Sequence, residues 1–157
     1  MTEIFSAIEA TSFSAWLRES PSVWAYPMVL TLHTVGLAVL VGANTALDLR
    51  VLGVAPAIPL PAFAKAFPVM WWGFWLNTLT GVVLFIADAT AMGTATIFIA
   101  KLAIIAVGIA LIFVLKRTVY GHGVELARST GAARVAAAVS LAVWVAAIAA
   151  GRYMAYV

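Results

Sequence analysis

The strongest constraint on this chain is a set of four apolar stretches, each long enough to cross a membrane as a helix. A helical span needs about 20 mostly apolar residues at a rise of about 1.5 Å per residue. The stretches cover approximately residues 23–47, 69–91, 96–115 and 132–153. Lipid offers the backbone no hydrogen-bond partner, so only helices or closed barrels can span it, and these stretches are too long for barrel strands. The sequence predicts an all-α integral membrane four-helix bundle, with one transmembrane domain over residues 1–157.

Composition and charge exclude several classes of function. Hydrophobic residues make up 65% of the 157 residues and charged residues 10%, whereas a soluble domain is about half apolar and a quarter charged. The chain has no cysteine, which excludes disulfides, thiolate metal sites and thiol redox chemistry. The net charge of +3 comes from residues near segment ends. It therefore indicates orientation in a lipid bilayer and not a nucleic-acid partner.

Residues 2–20 are predicted to form an amphipathic helix at the membrane interface. Apolar side chains recur there at helical spacing, first Ile4, Phe5 and Ile8, then Phe13, Trp16 and Leu17. The segment carries three glutamates against a single arginine and has no basic start, so it does not resemble a signal peptide. We expect the helix to end near Ser20-Pro21.

The distribution of basic residues predicts the orientation of the spans. The loop between the first two spans carries Arg50 and Lys65. The loop between the last two carries Lys116, Arg117, Arg128 and Arg134. These two loops lie on the same side of the membrane, and cytoplasmic loops are enriched in Lys and Arg. Both termini are therefore expected on the opposite, periplasmic side.

His33 is the leading candidate for chemistry, because it is an ionisable residue in the middle of the first span. Such a group at bilayer depth is costly and is treated as functional by default. The other histidine, His122, lies beyond the far end of the third span, about 20 Å or more from His33 along the membrane normal. The two imidazoles of one chain are therefore not expected to bind the same iron. We interpret His122 as a solvated loop residue, with a second site as the alternative.

Small and polar residues accompany His33 on the inward faces of the first two spans. Gly36 lies one turn after His33 and removes a side chain there, which would give clearance to a flat macrocycle or permit close helix packing. On the second span, Asn77 belongs to a stripe of small and hydrogen-bonding residues that marks the face toward the bundle. It is expected to bond another helix or a bound ligand.

Three charged residues lie toward the periplasmic side. Asp88 and Lys101 end the second span and begin the third, so an ion pair between them is one expectation. Arg152, at the end of the fourth span, is either a snorkelling residue or an anion partner. The depths of His33 and Lys101 differ by about 8 Å at 1.5 Å per residue. A haem along the bilayer normal spans that distance between iron and propionates, so Lys101 and Arg152 are candidate propionate partners for a haem on His33.

Three motifs carry a resemblance to known proteins: YPMVLTLHTVGLAVLVG, LDLRVLG and WWGFWLNTLTGVVLF. Together they resemble a family of small bacterial four-helix membrane proteins of unknown function, which implies the bacterial inner membrane. More loosely, the chain is similar to membrane cytochromes b and to copper-resistance D-like membrane proteins. That similarity implies a b-type haem with His33 as its axial iron ligand. The chain departs from bis-histidine cytochromes because it lacks a second membrane-embedded histidine.

The leading hypothesis is therefore a haem b protein for electron transfer or for redox or gas sensing, with a redox partner protein or a quinone as partner. The haem would contact His33, Gly36, Asn77, Lys101 and Arg152, with His33 as the metal ligand. A second hypothesis is a proton or small-solute conduit through His33, Asn44, Asp48 and Arg50. A third is a cofactor-free structural subunit. The Ala-rich fourth span predicts self-association under each hypothesis, and no hydrolytic or phosphate-binding motif is present.

Overall fold

The computed structural model describes residues 2–154, and all regular secondary structure in that range is helical. Residue 1 and residues 155–157 of the predicted domain lie outside the described part. The α-helices are α1 (Thr2–Glu9), α2 (Ser12–Glu19), α3 (Tyr26–Leu52), α4 (Ala66–Ala87), α5 (Ala89–Thr94), α6 (Thr96–Tyr120) and α7 (Gly131–Tyr153). Short 3₁₀ helices cover Leu60–Lys65 and Val124–Leu126.

Four of these helices, α3, α4, α6 and α7, are long and apolar enough to cross a membrane. This confirms the predicted all-α architecture and fits a multi-pass membrane protein. The bounds differ from the expectation in several places. Helix α3 begins at Tyr26, after the expected Val23, and runs to Leu52, five residues past the end of the apolar stretch. Gly53, whose φ of 109° only glycine adopts easily, caps it. Helix α4 ends at Ala87, before the predicted residue 91, because Asp88 leaves the helical conformation, and the short helix α5 makes the connection to α6.

The amino-terminal segment forms two helices and not the single one expected over residues 2–20. Thr11 breaks the segment, because its side chain accepts a hydrogen bond from the backbone N–H of Ser14 and starts α2. The pair docks on the bundle at two polar contacts. The Ser14 hydroxyl donates to the carbonyl of Ile86 at 3.0 Å, and the backbone N–H of Thr90 donates to Glu9 at 3.1 Å.

Two helix pairs, α3–α4 and α6–α7, make the most extensive contacts, and α3 also packs on α7. A glycine allows each pair to approach closely. A Cβ on Gly36 would lie 2.6 Å from the backbone nitrogen of Asn77, and one on Gly73 would lie 2.6 Å from that of Leu40. In the other pair, the Trp144 ring lies over Gly108. Small residues at such contacts are the usual basis of membrane helix packing.

The two ends of the bundle differ in packing. The main core contains Leu47, Val51, Leu115 and Val119, all close to the loops that carry most basic residues. At this basic end, Tyr120 donates a hydrogen bond to the carbonyl of Leu60 at 2.8 Å. The opposite end, which carries α1, α2 and α5, is the amino-terminal end. It contains a cavity between the long helices, and the candidate site lies there.

Candidate functional site

A cavity of about 470 Å³ lies between α3, α4, α6 and α7. Binding pockets for small ligands have about 300–1,000 Å³ and mostly apolar walls with a few polar groups. Aliphatic and aromatic side chains form most of these walls. The polar side chains among them are those of His33, Asn77, Thr78 and Lys101. Three residues selected from sequence, His33, Asn77 and Lys101, therefore line one cavity.

The His33 ring is oriented by helix α4. Its Nδ1 lies 2.9 Å from the backbone carbonyl oxygen of Asn77 and 3.2 Å from Thr80 Oγ1. A carbonyl oxygen only accepts, so Nδ1 carries the proton and donates it. The Nε2 atom of a neutral imidazole then keeps its lone pair. Histidine ligands of metals commonly donate their other ring N–H to a backbone carbonyl in this way.

Asn77 binds α3 through its side chain as well as through its backbone. Its Nδ2 donates to the backbone carbonyl of His33 at 2.8 Å. The same nitrogen lies 3.3 Å from both ring nitrogens of His33. The N–H of Nδ1 and the lone pair of Nε2 both lie in the ring plane and point in different directions. A group equally far from both nitrogens therefore lies over the face of the ring and not along the Nε2 lone pair. Asn77 therefore positions the imidazole while leaving Nε2 free to act as an acceptor or a ligand.

Two glycines make room for the polar groups of the cavity. A Cβ on Gly81 would lie 3.0 Å from His33 Cε1, so this glycine gives the imidazole its space. A Cβ on Gly151 would lie 3.4 Å from Lys101 Nζ, so the ammonium group packs against α7. Gly36 does not line the cavity and lies in the α3–α4 contact. The geometry at Gly36 favours helix packing over clearance for a macrocycle.

The charged residues at the amino-terminal end do not form the ion pair expected between Asp88 and Lys101. The ion pair found among residues 2–154 joins Arg18 to Glu9 at 2.8 Å, and the expected Asp88–Lys101 pair is not formed. Asp88 is exposed at the junction of α4 and α5, whereas Lys101 lines the cavity beside α7. Arg152 is exposed in the last turn of α7, next to Gly151, and does not line the cavity.

The amino-terminal helices lie next to the cavity. Phe85 and Phe98, which line it, stack on each other with ring centroids 5.5 Å apart. Phe5 of α1 contacts Phe85 edge-on at 5.9 Å. Nearby, the hydrogen bonds with Thr90 hold the pKa of the Glu9 carboxyl below its usual value, and Arg18 lowers it further. Glu9 therefore stays ionised and keeps α1 attached to α5.

The donor set limits which metal centres this site supports. Within the described residues, no three His, Cys, Asp or Glu side chains group as a metal site. The His, Cys, Asp and Glu ligands that copper or another transition-metal ion would need from side chains alone are therefore not grouped in this part of the chain. A haem needs less from the protein, because the porphyrin supplies the equatorial ligands and one imidazole is a sufficient axial ligand. His122 is exposed at the basic end, beside Leu126 and Arg128.

A polar cluster lies deeper in the bundle; sequence reasoning placed Asn44 and Asp48 on a possible conduit but missed their partner, Ser140. Asn44 Nδ2 donates to Asp48 Oδ2 at 2.6 Å and to Ser140 Oγ at 2.8 Å. Asn44 and Asp48 are visible in the sequence as a pair spaced by one helical turn. Ser140 carries a weaker signal, as a single hydroxyl in an Ala- and Val-rich span. Nothing in the sequence alone indicates that Ser140 faces Asn44.

The fold and the cavity define the protein as a four-helix membrane protein with a histidine-lined cavity between its long helices. The chain belongs to a family of unknown function (DUF6644), whose profile matches residues 5–157. This confirms the resemblance to such a family. Searches among curated proteins and solved structures found no significant match.

Proposed function

We propose that this protein binds haem b in the cavity, with His33 Nε2 as the axial ligand of the iron. The observation that carries the proposal is the 2.9 Å hydrogen bond from His33 Nδ1 to the carbonyl of Asn77. It leaves Nε2 as the unprotonated ring nitrogen, and that is the form of histidine that ligates iron.

The other residues of the cavity suit the same group. Apolar and aromatic walls match the faces of a porphyrin, which are themselves apolar. Lys101 supplies the positive charge that suits a propionate, and Arg152 lies at the same end of the bundle. Trp144 also lines the cavity, and its buried Nε1 is a hydrogen-bond donor without a partner in the described part of the chain. Buried donors are nearly always paired, so a ligand that accepts a hydrogen bond fits this wall.

Bound haem supplies one-electron chemistry or reversible binding of a small ligand. The chain's own residues set the surroundings of the haem. His33 would hold the iron, Asn77 fixes the imidazole ring of His33 against α4, and the apolar walls keep water away. We propose electron transfer or redox or gas sensing as the role, with a redox protein or quinone as the partner. The proposed setting is the bacterial inner membrane, with periplasmic termini and a homo-oligomeric state.

The visible spectrum of the detergent-purified protein tests this proposal. We expect a Soret band in the wild-type protein from haem-replete cells, and at least a tenfold loss of haem per chain in His33→Ala. His122→Ala is the matched control, because it removes the other imidazole at the opposite end, and it should retain the band. Colourless wild-type protein would contradict the proposal. A band that is lost in His122→Ala and kept in His33→Ala would show that His122, and not His33, is the ligand.

The same hydrogen bonds favour a second candidate, a cofactor-free subunit in which His33 joins α3 to α4. In that case His33→Ala would lower stability in a protein that never contains haem. The conduit receives less support. Leu40 is 2% exposed and lies on the same face of α3 as His33 and Asn44, so an apolar side chain separates the two polar groups. Proton transfer needs closer polar neighbours than these.

A further inference from the structure

The polar cluster of Asn44, Asp48 and Ser140 joins α3 to α7 on the basic side of the cavity. All three residues are 0% exposed. Two of its oxygen atoms, Asn44 Oδ1 and Asp48 Oδ1, are buried and have no hydrogen-bond partner among residues 2–154. Buried polar atoms in folded proteins are nearly always paired, so each such atom requires a reason.

Both unpartnered atoms have the same character. An amide oxygen only accepts hydrogen bonds, and so does an ionised carboxylate. Asn44 cannot supply the missing donor, because its two N–H groups already bind Asp48 Oδ2 and Ser140 Oγ. The Ser140 hydroxyl has one O–H to donate, which can satisfy at most one of the two oxygens. Within residues 2–154 no basic side chain pairs with Asp48. At least one of the two oxygens therefore has neither a donor nor a positive charge beside it.

We propose that the Asn44–Asp48–Ser140 cluster binds one Na⁺ ion. The cluster contains one carboxyl group, so one monovalent ion makes the buried site neutral, whereas a divalent ion would leave an excess charge away from water. The donors are all oxygens, and oxygens favour hard cations over the softer transition metals. Mg²⁺ requires an octahedral shell and keeps several waters, which a site built from two packed helices does not provide.

The assignment gives each side chain a role. Asp48 supplies the charge through Oδ1, and Asn44 supplies a neutral oxygen. Ser140 Oγ accepts from Asn44 and retains a second lone pair for the ion. None of the three lines the cavity, so the site is separate from the proposed haem site. Its test is therefore independent of haem binding.

Thermal unfolding of the purified full chain in detergent tests the site. We compare NaCl with choline chloride at equal ionic strength. For the wild-type protein, Tm is expected to rise with Na⁺, to saturate, and to increase by about 5–10 °C at 100 times Kd. Asp48→Asn removes the charge and preserves the shape. This variant should show no Na⁺-dependent rise, and in choline chloride it should be at least as stable as the wild-type protein.

Asp88→Asn is the matched control, because it makes the same chemical change at an exposed acid and should keep the full response to Na⁺. If Asp48→Asn does not fold, Ser140→Ala replaces it, with half-saturation expected at a Na⁺ concentration at least tenfold higher. Equilibrium binding of ²²Na⁺ should give one ion per wild-type chain. Equal Tm values in Na⁺ and choline would overturn the proposal. So would a response to pH alone, which would indicate a proton on Asp48, or an undiminished response in Asp48→Asn.

Discussion

The imidazole of His33 depends on one backbone carbonyl for its orientation. The carbonyl belongs to Asn77, whose side chain also binds the backbone of His33. Because the orienting atom is a backbone atom, no substitution at position 77 removes it directly. The sequence identifies His33 by its chemistry, since it is the ionisable residue within the first span. It does not identify the carbonyl, because every residue has one.

At this scale we predict that Lys101→Gln weakens haem binding. The substitution removes the positive charge from the cavity wall and keeps most of the side-chain volume. A partly screened ion pair contributes up to about 1 kcal/mol, so the Kd for haem should rise by about fivefold. Titration of the haem-depleted protein with haem, followed at the Soret band, gives the Kd.

Lys65→Gln provides the comparison, because Lys65 is an exposed lysine at the basic end. It should leave the Kd for haem unchanged. If Arg152→Gln weakens haem binding and Lys101→Gln does not, the anionic groups of the haem contact α7 instead of α6.

Glycines show how far residue-scale reasoning reaches. From the sequence, Gly36 was interpreted either as clearance for a macrocycle or as a packing residue. The close contact of Gly36 with the backbone of α4 favours packing. The glycine that gives His33 its space is Gly81, which belongs to the neighbouring helix. Periodicity predicts which residues of one helix share a face. It does not predict which residue of another helix lies opposite, because that depends on register and crossing angle.

At the scale of elements, the close contact of α3 with α4 holds the cavity wall together. Gly36 and Gly73 lie opposite each other, and either Cβ would come within 3.0 Å of backbone atoms of the partner helix. Backbone cannot move aside as a flexible side chain can. The spacing between α3 and α4, and with it the bond between His33 and Asn77, therefore depends on these two glycines.

We predict that Gly36→Ala destabilises the bundle. The added methyl group would overlap the backbone of α4, and overpacking of this kind costs about 1–3 kcal/mol. Unfolding by SDS in mixed micelles measures the change in free energy. Gly42→Ala is the matched control on the same helix, because a Cβ there meets nothing within 4 Å. Equal stability of Gly36→Ala and Gly42→Ala would show that the helices separate at no cost.

The amino-terminal helices show a limit of prediction at the scale of elements. Apolar spacing predicts the helical character of residues 2–20, and both α1 and α2 are helical. The break between them follows from the Thr11 cap, which leaves the pair in contact with α4 and α5. Capping competes with helix continuation by a small free energy, so contacts with the rest of the chain decide between one helix and two.

At the scale of the whole molecule, charge is distributed unevenly along the bundle axis. Arg50, Lys65 and the basic residues between the last turns of α6 and the start of α7 lie at the basic end, and the glutamates of α1 and α2 lie at the other. Lys and Arg are retained on the cytoplasmic side during insertion. The basic end is therefore expected in the cytoplasm.

The absence of cysteine from the chain makes this orientation directly measurable. We predict that Glu3→Cys reacts with a membrane-impermeant maleimide added outside the inner membrane of spheroplasts. Glu125→Cys, at an exposed position in the loop after α6, should react only after the membrane is permeabilised. The reverse pattern would invert the assigned topology, and labelling of both before permeabilisation would contradict a single orientation.

The sequence by itself determined the class of architecture, because four apolar stretches of spanning length have no stable alternative to helices in lipid. It also identified His33, Asn77 and Lys101 as chemically distinctive residues. Only the tertiary structure decided that these three line one cavity, that Lys101 packs on α7 without pairing with Asp88, and that Ser140 meets Asn44. The physical reason is that hydrophobicity and period are properties of one segment. Contacts between helices depend on how their side chains interlock, and a segment does not encode this alone.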